Sequence, residues 1–224
     1  MADAGYLLAV GSHTGGAGRT TTALALAWLW GNEGLRVTLA DADPGRAAGL
    51  IALDESGECP WPNVRYVAGL PAEGDPLVDA DVVLIDCPPL ITPEAAPVLL
   101  RAGGVVLTCH ADPLSLRTIP AAAGALAAAR MRNSSLELIG VIIDDFIVRD
   151  PVQVTMLTRL RQMHGDLLLE PPIPEDVGVR DWPLSPGRRL PAGDAAEAFA
   201  AVAGRLRELV RQLSGVAIAA PGGE

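Results

Sequence analysis

Twelve residues near the N-terminus carry a pattern suited to holding an anion: Gly11-Ser12-His13-Thr14-Gly15-Gly16-Ala17-Gly18-Arg19-Thr20-Thr21-Thr22. Closely spaced glycines let successive backbone N–H groups turn toward one anionic group. An apolar run from Tyr6 to Val10 precedes the loop, and a helix-like run from Ala23 to Trp30 follows it. Strand, glycine loop and helix in that order add the positive end of the helix dipole, so the stretch reads as a phosphate cradle. The common form of such a loop has Gly, four residues, then Gly-Lys-Ser/Thr. Here His13 stands at the first glycine position and Arg19 at the lysine position. Arginine can pair with phosphate bidentately, but its planar fork is bulkier than an ammonium and does not simply replace it.

Two more segments bring carboxylates to the ends of apolar runs. The first reads Val37 to Ala40, then Asp41-Ala42-Asp43-Pro44. The second reads Val82 to Ile85, then Asp86-Cys87-Pro88-Pro89. A strand-end carboxylate alone could simply cap the following turn. Three strand-end motifs in order favour a shared site, because ligands in open α/β sheets bind outside the strand C-termini.

Together these segments resemble the ParA/MinD family of deviant P-loop ATPases. The family loop reads Lys-Gly-Gly-x-Gly-Lys-Thr-Thr, its second motif Asp-x-Asp-Pro, and its Walker B motif Asp-Thr-Pro-Pro. The resemblance runs from about residue 5 to residue 213 and also takes in Gly103–Thr108, Asp112–Arg117 and Pro172–Asp176. It implies ATP or ADP with Mg2+ as the bound group. By resemblance, Thr14, Gly15, Gly16, Ala17, Gly18, Arg19, Thr20 and Thr21 hold the phosphates. Asp144, Pro174 and Glu175 lie by the base; Thr20, Asp86 and Asp41 serve the metal; Asp43 positions the attacking water, with Arg19 as the second catalytic residue. Thr14 replaces the signature lysine, which reaches across a dimer in the family. Some carboxysome-positioning relatives also lack it.

The family works as ATP-dependent dimeric switches that position plasmids, chromosomes or large assemblies. The implied partners are a second copy, a ParB-like or cargo-adaptor protein, and nonspecific DNA. With both lysines gone, retained nucleotide binding with slow hydrolysis is the expectation. Two alternatives stand beside it: a degenerate scaffold or regulator without ATPase activity, and an ATP-dependent synthetase of the same fold.

The elements that position these motifs follow from the hydrophobic pattern. Strands are expected at Tyr6–Val10, Val37–Ala40, Val64–Val67, Val82–Ile85, Val105–Thr108, Leu138–Ile143 and Leu167–Leu169. Helices are expected at Thr20–Gly31, Pro93–Arg101, Leu116–Arg130, Val152–His164 and Asp194–Leu213, the last with Asp194 as N-cap. Strands alternating with helices predict a three-layer α-β-α, P-loop NTPase-like domain with a mostly parallel twisted sheet. Residues 1–213 read as one nucleotide-binding domain and 214–224 as a disordered tail.

Of the 224 residues, 50% are hydrophobic and 20% charged, so the chain can bury a full core. No apolar run reaches the roughly 18 residues of a membrane span, and no basic leader precedes the first strand. A cytoplasmic and possible nucleoid-associated protein without a membrane anchor is the expectation. All seventeen basic residues are arginine, a bias typical of GC-rich bacterial genomes. That drift accounts for Arg19 but not for Thr14. A net charge of −10 disfavours DNA binding by a free monomer. The candidate DNA contacts are Arg180, Arg188, Arg189, Arg205, Arg207 and Arg211, which dimerisation would bring into two neighbouring patches. Cys59, Cys87 and Cys109 have no metal-ligand spacing.

Overall fold

The computed structural model describes residues 5–13, 15–72, 75, 80–185 and 187–214. Six strands form one parallel sheet: β1 (Tyr6–Gly11), β2 (Val37–Asp41), β3 (Val64–Ala68), β4 (Val82–Asp86), β5 (Gly104–Cys109) and β6 (Glu137–Ile143). Their order is β3-β2-β4-β1-β5-β6. All five strand pairings are parallel. β2, β4 and β5 are buried at every position, which requires cover on both faces of the sheet.

Helices α1 (Arg19–Asn32), α2 (Ala47–Ala52) and α7 (Asp194–Ser214) cover one face. Helices α3 (Ala96–Leu99), α4 (Ser115–Arg130) and α5 (Pro151–His164) cover the other. A short α6 (Val177–Arg180) comes after α5 and a 3-10 turn at Gly165–Leu167. α1 is apolar on nearly every side and lies buried between the sheet and α7. Trp30 is fully buried, and its Nε1 donates to the Ala203 carbonyl at 3.2 Å. Trp28, two residues earlier, is only partly buried. α7 buries Ala195, Phe199, Val202, Leu206 and Val210, a stripe at helical spacing that seals this face. α5 starts on Pro151 with Asp150 as N-cap, accepting from Val152 N at 2.8 Å.

The differences from the sequence expectation are local. Leu167–Leu169 is no strand: Gly165–Leu167 is a 3-10 turn, and Leu168 makes one isolated bridge to Val141. Three apolar residues give enough burial for a strand but too little length to sustain a ladder. The helix expected at Pro93–Arg101 is a 3-10 turn, Pro93–Ala95, followed by the four residues of α3. Glu197 N donates to Gly193 O at 3.2 Å, so Gly193 caps α7 and Asp194 is its first helical residue. The Ala-rich α4 buries only Ile119, Ala122 and Leu126 among its apolar residues. Among the described residues, no helix is long and apolar enough to cross a membrane. The tail after Ser214 lies outside the described residues.

Candidate functional site

β1 lies between β4 and β5, and its C-terminal end feeds the glycine loop into α1. Gly16 and Gly18 have φ of 74° and 77°, left-handed values that glycine adopts without strain. A Cβ on Gly15 or Gly16 would meet nothing within 4 Å, so the loop is open on that side. A Cβ on Gly18 would collide with the Asp144 carboxylate. Among the described residues, no side chain caps α1. Thr14 lies outside the described residues.

The carboxylates arrive through strand register. Asp86 sits beside Val10 on one side and Asp41 on the other. Asp86 is fully buried, and its Oδ2 accepts from Thr20 Oγ1 at 2.8 Å. Its Oδ1 has no hydrogen-bond partner among the described residues. Desolvation pushes the Asp86 carboxyl up to about 7; the Thr20 bond works against this and the neighbouring Asp41 adds to it. Asp41 is also raised by burial. Its Oδ2 accepts from Gly49 N at 3.1 Å and from Tyr66 Oη at 3.2 Å, and its Oδ1 has no partner among the described residues. One Asp41 oxygen therefore ties β2 to α2 and β3.

Arg19 reaches across rather than along the loop. Its guanidinium donates to Ser12 Oγ at 2.7 Å and to Asp43 Oδ2 at 3.2 Å. Asp43 also accepts from Gly45 N at 2.8 Å through Oδ1.

A cleft of about 570 Å³ runs from the loop to the end of β6. It is lined by Gly16 to Thr21 together with Asp144, Pro174 and Glu175. Backbone bonds join its far side: Phe146 N to Ile173 O at 2.8 Å and Glu175 N to Phe146 O at 3.0 Å. Desolvation pushes the Asp144 carboxyl up to about 6, while the Asp145 N–H and His110 pull it back.

Asp145 and Asp176, in the two segments expected by the base, also line the cleft, whereas sequence reasoning did not single out Ser12, Tyr66 and His110. His110 was within reach of the rule that sites gather at strand C-termini, since it directly follows β5. The six arginines expected at DNA fall on α6, the loop before α7 and α7 itself. Arg180 lines the cleft, 3.9 Å from Glu175. Arg207 pairs with Glu33 beyond α1, and Arg211 pairs with Glu208 at 2.6 Å. Arg205 lies about 160° around α7 from Arg207. Arg188 and Arg189 are exposed on the loop before α7.

The profile of the CobQ/CobB/MinD/ParA nucleotide binding domain matches residues 8–186, spanning the loop, both carboxylate motifs and the far side of the cleft. The chain belongs to this family. It is 27% identical over 208 residues to the chromosome-partitioning ATPase Soj of Thermus thermophilus, covering 79% of this chain and 84% of Soj. The chromosome partitioning protein ParA of Caulobacter vibrioides is 25% identical over 228 residues, covering 79% and 83%. Among solved structures, MinD from Pyrococcus horikoshii with Mg-ADP has a TM-score of 0.68 at 19% identity, covering 94% of this chain and 99% of that one. A McdA–ATP complex from Cyanothece has a TM-score of 0.69 at 16% identity, covering 95% and 97%. Cobyrinic acid a,c-diamide synthase from Mycobacterium smegmatis, with ADP and magnesium, has a TM-score of 0.66 at 20% identity, covering 92% and 94%. At these identities the solved structures are alike in fold. As a member of the nucleotide binding family, the chain presents its glycine loop, Thr20 and Asp86 at the strand ends where the cleft opens.

Proposed function

We propose that this chain is a ParA-like switch protein that binds ATP or ADP with Mg2+ and helps place DNA or a large assembly in the cell. The observation that carries the reading is the meeting of Thr20 and Asp86 beneath the glycine loop. A buried carboxylate oxygen without a partner, beside a threonine hydroxyl, fits a hydrated Mg2+. The open side of Gly15 and Gly16 fits phosphate oxygens. When bound, Mg2+ would supply positive charge to the phosphates. The backbone of residues 15–20 orients the phosphates, Thr20 and Asp86 hold the cation, and Asp144, Pro174 and Glu175 border the base. Asp41 braces the same corner from β2. The likeness to Soj and ParA supports partitioning or positioning over synthesis.

The reading carries finer proposals. The chain forms a nucleotide-dependent homodimer, meets an adaptor of the ParB kind, and hydrolyses ATP slowly. Arg19 is held by Asp43 and Ser12, which supports slow turnover or binding without turnover. A DNA contact would draw on exposed Arg188, Arg189 and Arg205 in the nucleotide-bound dimer. Residues 1–213 act as one domain. Calorimetry with Mg-ADP and a nonhydrolysable ATP analogue tests the core of the reading, with micromolar to submillimolar affinity expected. No heat with either nucleotide at near-millimolar concentration would leave only a scaffold role. ATPase rates and duplex mobility shifts, with and without nucleotide at about 50 mM salt, test the finer parts.

A further inference from the structure

Arg180 falls among the arginines expected at DNA, yet it lines the cleft, on the same rim as Pro174 and Glu175. Its backbone is fixed on both sides. Asp176 caps α6, accepting from Gly178 N at 2.7 Å and Val179 N at 3.3 Å, and Arg180 N donates to Asp176 O at 2.9 Å. Two residues further on, Trp182 is buried and its Nε1 donates to Arg188 O. The guanidinium is held far less firmly. It lies 3.9 Å from Glu175 and 3.7 Å from Asp181, both beyond hydrogen-bond length, and 64% of the side chain is exposed. Beside it, Ile173, Pro174, Val179 and Pro183 give the cleft an apolar wall. We propose that Arg180 is a base-stacking residue: with a nucleotide bound, its guanidinium plane lies over a face of the purine.

The inference rests on the nucleotide reading above and adds a residue that none of the sequence motifs supplies. That reading puts the phosphates at residues 15–20 and the base beside Asp144, Pro174 and Glu175. A purine is flat and its faces are weakly polar, so a side chain that covers an exposed face removes apolar surface from water. Among the described residues lining the cleft, Arg19 and Arg180 carry guanidinium groups, and Arg19 is held at the glycine-loop end by Ser12 and Asp43. Arg180 has both the length and the planar group that stack on a ring system. Its swing into the cleft breaks no side-chain hydrogen bond, since Glu175 and Asp181 lie too far away to form one. The local charge favours stacking over a phosphate contact. Asp144, Asp145 and Glu175 line this end of the cleft and offset the pull of a cation on distant phosphates, while its contact with a neighbouring ring is short-range.

Calorimetry with Mg-ADP on the parent and three variants tests the stack. Arg180→Ala should weaken Mg-ADP about fivefold to tenfold, the range of a partly desolvated cation–π contact. Arg180→Tyr should stay within about twofold of the parent, because an aromatic ring stacks without a charge. Arg180→Lys should recover less than about half of the loss on a logarithmic scale, because it keeps the charge and lacks the plane. Any other pattern overturns the proposal. Parent-like binding by Arg180→Ala would show that the side chain covers nothing, and rescue by lysine in place of tyrosine would show a charge acting on phosphate. In either case the nucleotide site stands without the stack. No heat with Mg-ADP in the parent removes the nucleotide reading and the stack together. Because the side chain is mostly exposed, thermal midpoints of the ligand-free variants should stay within about 2 °C of the parent, which separates a lost contact from a damaged fold.

Discussion

The two ends of the cleft are held by different kinds of force. At the glycine-loop end, polar and charged side chains meet through hydrogen bonds: Thr20 to Asp86, Arg19 to Ser12 and Arg19 to Asp43. At the far rim, backbone bonds and aromatic packing hold the chain. Trp61 and Trp182 stack with centroids 5.8 Å apart and planes at 27°. Trp61 Nε1 donates to the carbonyls of Gly187 and Arg188 at 3.1 and 3.2 Å, and Trp182 Nε1 donates to Arg188 O at 3.0 Å. Gly187 N reaches Ile51 O at 2.7 Å, so the segment bordering the cleft is pinned to α2 and the loop before β3. A hydrogen bond between ionic side chains can be exchanged for one to a ligand at little net change. A buried aromatic stack cannot be exchanged, because opening it exposes apolar surface. The phosphate end is built to be rearranged by what binds, and the rim to stay in place.

Removing the rim's anchor should have the largest effect. Trp182 is 2% exposed. Trp182→Ala should lower unfolding stability by about 3–5 kcal/mol, as for other large-to-small core changes, read from a denaturant midpoint. Trp182→Phe should lose about 1 kcal/mol, the worth of its hydrogen bond. If Trp182→Ala were as stable as the parent, the rim would owe its place to backbone bonds alone.

At the phosphate end the expected effect falls on binding, not stability. Asp86→Ala should weaken Mg2+-dependent nucleotide binding by about 10–100-fold, the range seen when outer supports of a metal are removed. Binding measured in EDTA should change little. The ligand-free variant should be no less stable than the parent at pH 8, since a buried carboxylate with one unpartnered oxygen is removed. Calorimetry with and without EDTA, beside a denaturant titration, separates these outcomes.

A smaller difference should appear with pH. Burial raises Asp86 to about 7 and Asp144 to about 6, so the folded state holds these protons more firmly than the unfolded chain. Their favourable contribution is full below the unfolded carboxylate value near 4. It is lost as pH rises through the folded values. Between pH 5.5 and 8 the ligand-free protein should lose about 2 kcal/mol through Asp86. Asp86→Asn should flatten most of that slope. Mg-nucleotide needs the ionised carboxylate, so its affinity should rise with pH up to about 7. A parent midpoint that does not fall over this range would argue against a protonated Asp86.

Much of this was legible from residue order. Apolar runs at Tyr6, Val37 and Val82, each ending at glycine or aspartate, marked the strands and placed three motifs at their C-terminal ends. The last helix was expected at Asp194–Leu213 and is found at Asp194–Ser214. Such patterns are local: strand and helix periods, and the left-handed φ that glycine permits, act over a few residues. The family match over residues 8–186 agrees with them.

What only the tertiary structure decided is which distant side chains meet. Arg19 and Asp43 are 24 residues apart, and Trp61 and Gly187 are 126 apart. Sequence spacing gave no reason to pair Arg19 with a carboxylate rather than a phosphate. Nor did it show that Asp41 turns one oxygen to Gly49 and Tyr66. Those contacts depend on the sheet order, which puts β2 beside β3 and β4 and brings the β2 turn against the first residue of α1. The pattern of one segment sets how it buries its own apolar face. Which polar groups then share a corner is fixed when the whole sheet closes, since each buried oxygen or N–H takes the partner that the neighbouring strands and loops present.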